Sequence, residues 1–337
     1  MIAGPLVAGV TLIGALWATR EADVPFRDPD NVAAKYLVLV GLGVFVMWAL
    51  DIVVRAAYRT RTRWPSRETL REVRRERWSW KRGLAAACAL VSFYVSYLAY
   101  RNIKSMVPLL RPDDLFDREL ADLDRAIFAG QNPWELLHSL LGTGILGHVL
   151  SFIYVAFIVF LPLSMALALV FTRDLSTGMF YTTALSLNWP LGALTYLLVP
   201  ALGPIYAFPE DFSDLPASKA AELQRTLMSD RMEFLRDPVE AAGQHIAAFA
   251  SLHVSMIFTA VVTVHLLGLG RRVRITLWTV LALSVIATVY LGWHYVIDDV
   301  AGVVLALVAL WLAWALTGFQ PRGVPRLRRR AAAAEVT

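Results

Sequence analysis

Five side chains in this sequence have the types and spacing to handle a phosphate ester. Two of them, Lys104 and Arg111, stand seven residues apart in Lys104-Ser-Met-Val-Pro-Leu-Leu-Arg111-Pro112. Fixed cations beside apolar residues either reach out to lipid headgroups or hold an anion. A phosphoryl group suits them, because its transition state spreads negative charge over equatorial oxygens that Lys and Arg donors stabilise. His253 stands in Ala250-Ser251-Leu252-His253, and His294 and Asp298 stand four apart in His294-Tyr-Val-Ile-Asp298. On helical backbone that spacing turns both side chains to one side, so the carboxylate can fix the ring's tautomer. An imidazole oriented in this way is a competent nucleophile toward phosphorus, and a second histidine can protonate the leaving oxygen.

The elements that must position these groups are set by hydropathy. The chain has 337 residues, 57% of them apolar, and a mean hydropathy of +0.55, which excludes an ordinary soluble protein. The apolar residues fall in blocks of roughly 18 to 25, the length a helix needs to cross about 30 Å of hydrocarbon. Eight spans are expected, at about 2–18, 36–54, 83–100, 145–171, 177–199, 252–268, 275–293 and 299–318. Only helices satisfy their own backbone in lipid at these lengths, so the fold expected is an all-α, polytopic transmembrane bundle. The first span lacks a basic leader and a small-residue cleavage site and reads as retained.

Orientation follows from arginine. Residues 55–82 carry eleven basic side chains against Glu68, Glu72 and Glu76, and residues 322–330 carry five more arginines. Such segments stay in the cytoplasm. Both termini are then expected inside, with residues 19–35, 101–144, 200–251 and 294–298 outside, in the cell membrane of a multi-pass protein. Lys104, Arg111, His253, His294 and Asp298 all fall on that outer face. Apolar positions at helical spacing over 113–128 predict a helix lying on the membrane surface, and a polar helix is expected over 217–235, ending near Pro238.

The other histidines read as structural. His138, His148 and His265 lie in a loop or at span ends as packing or capping residues, and His245 reads as a solvated loop residue near the outer face. Cys88, the only cysteine, excludes an internal disulfide and a thiolate zinc site. No aromatic-basic module points to nucleic acid. Trp189, Trp293, Tyr196 and Tyr206 suit either a lipid entrance or interfacial anchoring.

These residues resemble the type 2 phosphatidic acid phosphatase superfamily of membrane lipid phosphatases and phosphotransferases. Its motifs are Lys-x6-Arg-Pro, Pro-Ser-Gly-His and Ser-Arg-x5-His-x3-Asp. The first is intact at 104–112, the second keeps Ser251 and His253, and the third keeps His294 and Asp298 but has Ala287 and Thr288 at the Ser-Arg positions. The resemblance implies that His294 attacks phosphorus to form a phosphohistidine, that Asp298 orients it, and that His253 is general acid and later base. It further implies that Lys104, Arg111 and Ser251 hold the phosphate, with neither metal nor cofactor. Leu252 in place of glycine and the missing arginine look like the inositolphosphotransferase branch, which includes inositol phosphoceramide synthases, as does the stretch 124–133.

The organisation expected is two N-terminal helices and a basic loop (1–82), a six-helix catalytic domain (83–318) and a basic tail (319–337). The function expected is phosphoryl or phospho-headgroup transfer, including inositol phosphate, from a lipid phosphate or phospholipid donor to a lipid alcohol. The alternative is hydrolysis of phosphatidic acid or a polyprenyl (di)phosphate. A transporter fits less well, because the ionisable groups cluster at one surface and no inverted repeat is visible. A scaffold that has lost activity fits poorly with two retained histidines.

Overall fold

The computed structural model describes residues 2–112, 114–172, 174–244 and 246–321. His245 and the arginine-rich tail from 322 onward, on which two expectations fall, lie outside the described residues. The order of α-helices is α1 (Ala3–Glu21), α2 (Val32–Thr60), α3 (Arg67–Arg77), α4 (Trp80–Leu110), α5 (Asp117–Ile127), α6 (Pro133–Leu141), α7 (Ile145–Phe171), α8 (Leu175–Leu198), α9 (Pro204–Ala207), α10 (Lys219–Arg236), α11 (Leu252–Leu266), α12 (Arg271–Tyr290) and α13 (Val296–Thr317). Each of the eight expected spans corresponds to one helix of this bundle. Six of them are long and apolar enough to cross a bilayer, while α11 has only 15 residues and α8 falls outside that group.

Small residues let these helices approach closely where lipid supplies no hydrophobic drive for helix association. Gly4, Ala8, Thr11, Ala15 and Ala18 form the buried stripe of α1, which packs on α4, itself lined by Ala85, Ala89, Ser92, Ser96 and Ala99. α4 packs in turn on α8, α8 on α13, and α11 lies between α12 and α13. Bulky apolar residues on the outer surfaces, such as Phe152 on α7 and Trp311 on α13, are exposed, as lipid contact requires.

The basic segment 55–82 is folded. Ser66 caps α3 by accepting from the Thr69 amide, and Val73 packs on Ile52 and Ala56 of α2. Buried Asp51 accepts from Arg55 and Arg77, each at 2.7 Å. Arg77 and Arg82 donate onward to the carbonyls ending α7, including Val170 and Thr172. Cations at a helix C-terminus offset its dipole and its orphan carbonyls.

The helices expected over 113–128 and 217–235 are α5 and α10. α5 leaves Leu123 and Ile127 exposed, while its buried side holds two acids beside Leu120 and Ala121. Asp117 and Asp124, two turns apart, both point into the protein. Asp124 accepts from the Val296 and Ile297 amides at 2.7 and 3.0 Å. Asp117 accepts from the Leu202 and Gly203 amides and from the Tyr295 hydroxyl. Apolar periodicity missed this because the first amides of α13 need acceptors, and a carboxylate from another helix meets that need. Burial pushes both carboxyls up from their ordinary range, with the donated amide bonds opposing it.

Asp124 thus anchors the start of α13. Replacing it by alanine strands two buried amides and is expected to lower stability by about 1–3 kcal/mol, read as equilibrium unfolding in detergent. Asp122→Ala, at an exposed position, is the control, and an Asp124→Ala protein as stable as that control would refute the anchoring role.

Candidate active site

The two histidines are brought together by one close approach. Ser251 precedes α11, and its hydroxyl caps the helix at the Val254 amide. Its own amide donates to the Asp298 carbonyl in the first turn of α13, at 3.0 Å. The backbones meet at Gly302, where an added Cβ would lie 2.5 Å from the Ser251 carbonyl oxygen. Leu252, at the position of the family's glycine, is accommodated by another absent side chain. It fills a notch at Gly192 of α8, where a Cβ would come within 2.8 Å of its methyl carbon. A Cβ is a small group, yet at either glycine it would separate two helices.

His294 follows α12 in a short turn held by the Thr288 carbonyl, which accepts from the Trp293 and His294 amides at 2.9 and 3.3 Å. Its ring centroid lies 6.4 Å from that of His253. With reacting atoms about 3–3.5 Å apart in an attack geometry, that gap admits one tetrahedral group between the rings. His253 is held by stacking on Tyr154 at 4.3 Å and by contact with Phe157 at 4.1 Å, and Tyr154 stacks on Trp293 at 4.8 Å. Lys104, still inside α4, places its ammonium 5.1 Å from the Tyr196 ring and 5.8 Å from the Tyr100 ring. It makes no hydrogen bond or ion pair among the described residues, and its charge acts on both imidazoles.

Asp298 stands beside His294, with Oδ2 at 3.4 Å from Nδ1. That is ion-pair distance, longer than a formed hydrogen bond, and His294 Nδ1 and Asp298 Oδ1 are both buried without a hydrogen-bond partner. The Asp298 carboxylate already accepts from the Tyr295 amide at 3.0 Å. The next residue, Asp299, was missed from sequence. It accepts from the Thr288 hydroxyl at 2.9 Å, Ser251 lies against the same carboxylate, and its charge acts on His294. A second acid in the first turn of an apolar span was the available signal, since such residues are rare in lipid without a task.

The remaining expected residues are placed differently. Ser251 is fully buried, engaged by the α11 cap and Asp299. The first-turn amides of Leu252 and His253 form no hydrogen bond among the described residues. Arg111 lies beyond the last turn of α4, donating to the Leu197 carbonyl at 2.6 Å and to Asp114 at 2.8 Å. His138 donates from Nε2 to the Tyr290 carbonyl at 2.8 Å, and His265 accepts from Trp278; both are packing residues. His148 is exposed. Among the described residues no three His, Cys, Asp or Glu side chains converge as a metal-ligand set.

Burial holds the His294 imidazole well below its ordinary value, at about 4, against the opposing pull of the Asp299 charge. Above that pH the ring is neutral, the form a nucleophile needs. Titration of ring-labelled histidine by NMR, with His294 assigned from a His294→Gln variant, is expected to show it uncharged down to pH 5. A ring that charges near 6.5 would contradict the buried placement.

No curated protein and no solved structure matches the chain. The family model of the PAP2 superfamily matches residues 118–312, a span that contains Ser251, His253, His294 and Asp298 and begins after Lys104 and Arg111. The match covers more than half of the sequence and holds both histidines of the site, so the chain belongs to the PAP2 superfamily.

Proposed function

We propose that this protein is a phosphotransferase acting on lipid phosphoric esters through a phosphohistidine, with its site at the outer leaflet. Members of its superfamily are phosphatases and phosphotransferases, and several apolar helices mark a multi-pass membrane protein. The observation that carries the reading is the pair of imidazoles 6.4 Å apart, His294 buried and His253 half-buried, with the unpaired Lys104 ammonium beside them.

In the first step a nitrogen of His294 attacks phosphorus, the bond to the ester oxygen breaks, and His253 delivers a proton to that oxygen. Asp298 and Asp299 offset the positive charge that grows on His294. Lys104 and the free amides opening α11 stabilise the equatorial oxygens, as helix N-termini do for phosphates. In the second step His253 takes the proton from an acceptor hydroxyl, whose oxygen attacks the phosphohistidine and frees His294. With a lipid alcohol as acceptor the product is a new phosphoester; with water it is phosphate.

Transfer, including of inositol phosphate, is favoured over hydrolysis by two features of the site. Thr288 replaces the third-motif arginine, and Leu252 is seated on Gly192, so the second motif is a packed variant rather than a damaged one. Basic residues of the segment 55–82 lie at the opposite end of the bundle from the histidines, which supports an outer position for the site by the positive-inside rule.

The test is purified protein given labelled phosphatidic acid, polyprenyl diphosphate and phosphatidylinositol, with and without lipid alcohols, following free phosphate and new lipid products. A new phospholipid formed only with acceptor is expected, falling by about 10³-fold or more in His294→Ala, as for loss of a covalent nucleophile. Phosphate released without acceptor would replace transfer by hydrolysis. Products equal in wild type and His294→Ala would remove the enzyme reading.

A further inference from the structure

The superfamily's third-motif arginine is absent here, and the structure brings a different one to the mouth of the site. α10 crosses the outer end of the bundle as a roof. At its start the Ala220 amide donates to Ser151 of α7. One turn on, Gln224 donates to the Leu291 carbonyl at 2.8 Å, just before the His294 turn. At its far end Phe234 is fully buried in the cluster containing Met106 and Val107 of α4. Beyond it, the carbonyls of Pro238, Val239 and Ala241 accept from Arg27. Arg231 is two turns after Gln224 and so on the same, inward side.

Arg231 and Arg111 line one cavity of about 200 Å3, together with Val107, Leu202 and Ala247. Val107 is one turn beyond Lys104, and Ala247 precedes Ala248, whose main chain meets the His294 ring. The cavity therefore adjoins the histidine site on its outer side. Arg231 is half-buried and makes no hydrogen bond or ion pair among the described residues. The carboxylate charge that acts on it is that of Asp117, whose oxygens are already engaged by Leu202, Gly203 and Tyr295. Arg111 is held by Asp114 and the Leu197 carbonyl, whereas the half-buried Arg231 leaves guanidinium N–H donors without acceptors, a cost that an anion in the cavity removes.

We propose that Arg231 and Arg111 form an anion subsite for the phosphate group of the lipid ester, α10 supplying the guanidinium that Thr288 does not. This rests on the phosphoryl-transfer reading. The subsite receives the phosphate at the outer mouth and passes it inward to Lys104 and the two imidazoles, so Arg231 is a substrate-binding residue rather than a group acting on the reacting bond.

The experiment uses the full chain in detergent, with inorganic phosphate as probe of thermal unfolding and phosphatidic acid with a lipid alcohol acceptor in mixed micelles as the turnover assay, following both free phosphate and new phospholipid. Arg231→Ala is expected to weaken the phosphate response and raise KM by about tenfold, the scale of one charge-assisted hydrogen bond, with kcat little changed. Arg231→Lys restores part of this, because lysine keeps the charge and loses the planar fork. An Arg231→Ala protein that melts lower but keeps the wild-type phosphate shift and KM overturns the proposal and leaves Arg231 as a partner of Asp117. Wild-type protein that turns over lipid while Arg231→Ala is unaffected sinks the subsite alone. Wild-type protein that neither responds to phosphate nor turns over lipid sinks the subsite and the enzyme reading together.

Discussion

The hydrogen bond from the Ser251 amide to the Asp298 carbonyl, made possible by the missing side chain at Gly302, is the constraint on which the site depends. It presses the start of α11 onto the start of α13. Because His253 is in the first turn of one helix and His294 immediately precedes the other, the same contact sets the distance between the rings. The remaining supports act on this junction. Asp124 holds the α13 amides from α5, Asp117 ties Tyr295 to the 202–203 turn, and Thr288 holds both the His294 turn and Asp299.

Charge is distributed unevenly along the bundle, and each end uses it differently. At the basic end, Arg55 and Arg77 are committed to Asp51, and Arg77 and Arg82 to the carbonyls closing α7. At the histidine end, acids are committed to amides and hydroxyls, while Lys104 and Arg231 remain unpaired among the described residues. An uncompensated cation in a low-dielectric interior is costly. Its persistence beside two imidazoles is therefore more informative than its presence, and it is the physical reason for reading the site as one that receives an anion.

The departures from the family motifs have local explanations. Leu252 does not simply crowd the backbone where glycine is usual; it is seated in space that Gly192 leaves open. Thr288 does not reach for phosphate but donates to Asp299, so the place of a cation is taken by a threonine–carboxylate pair. That pair places a second acid near His294, beside Asp298.

Sequence alone determined the helical class and the eight apolar helices, because each of these is written in local hydropathy. The 3.6-residue period and the bilayer's thickness require no partner to be read. It did not reveal which way α5 faces, that residues 55–82 fold around Asp51, that Asp299 stands near His294, or that Arg231 shares a cavity with Arg111. Those depend on which buried amide, carbonyl or charge from a distant helix needs a partner, and that need exists only once the helices are packed. Asp124 reads as an ordinary acid on a surface helix until the amides of Val296 and Ile297 are set against it. Arg231 likewise reads as one more polar residue on α10 until the roof turns it into the cavity it shares with Arg111.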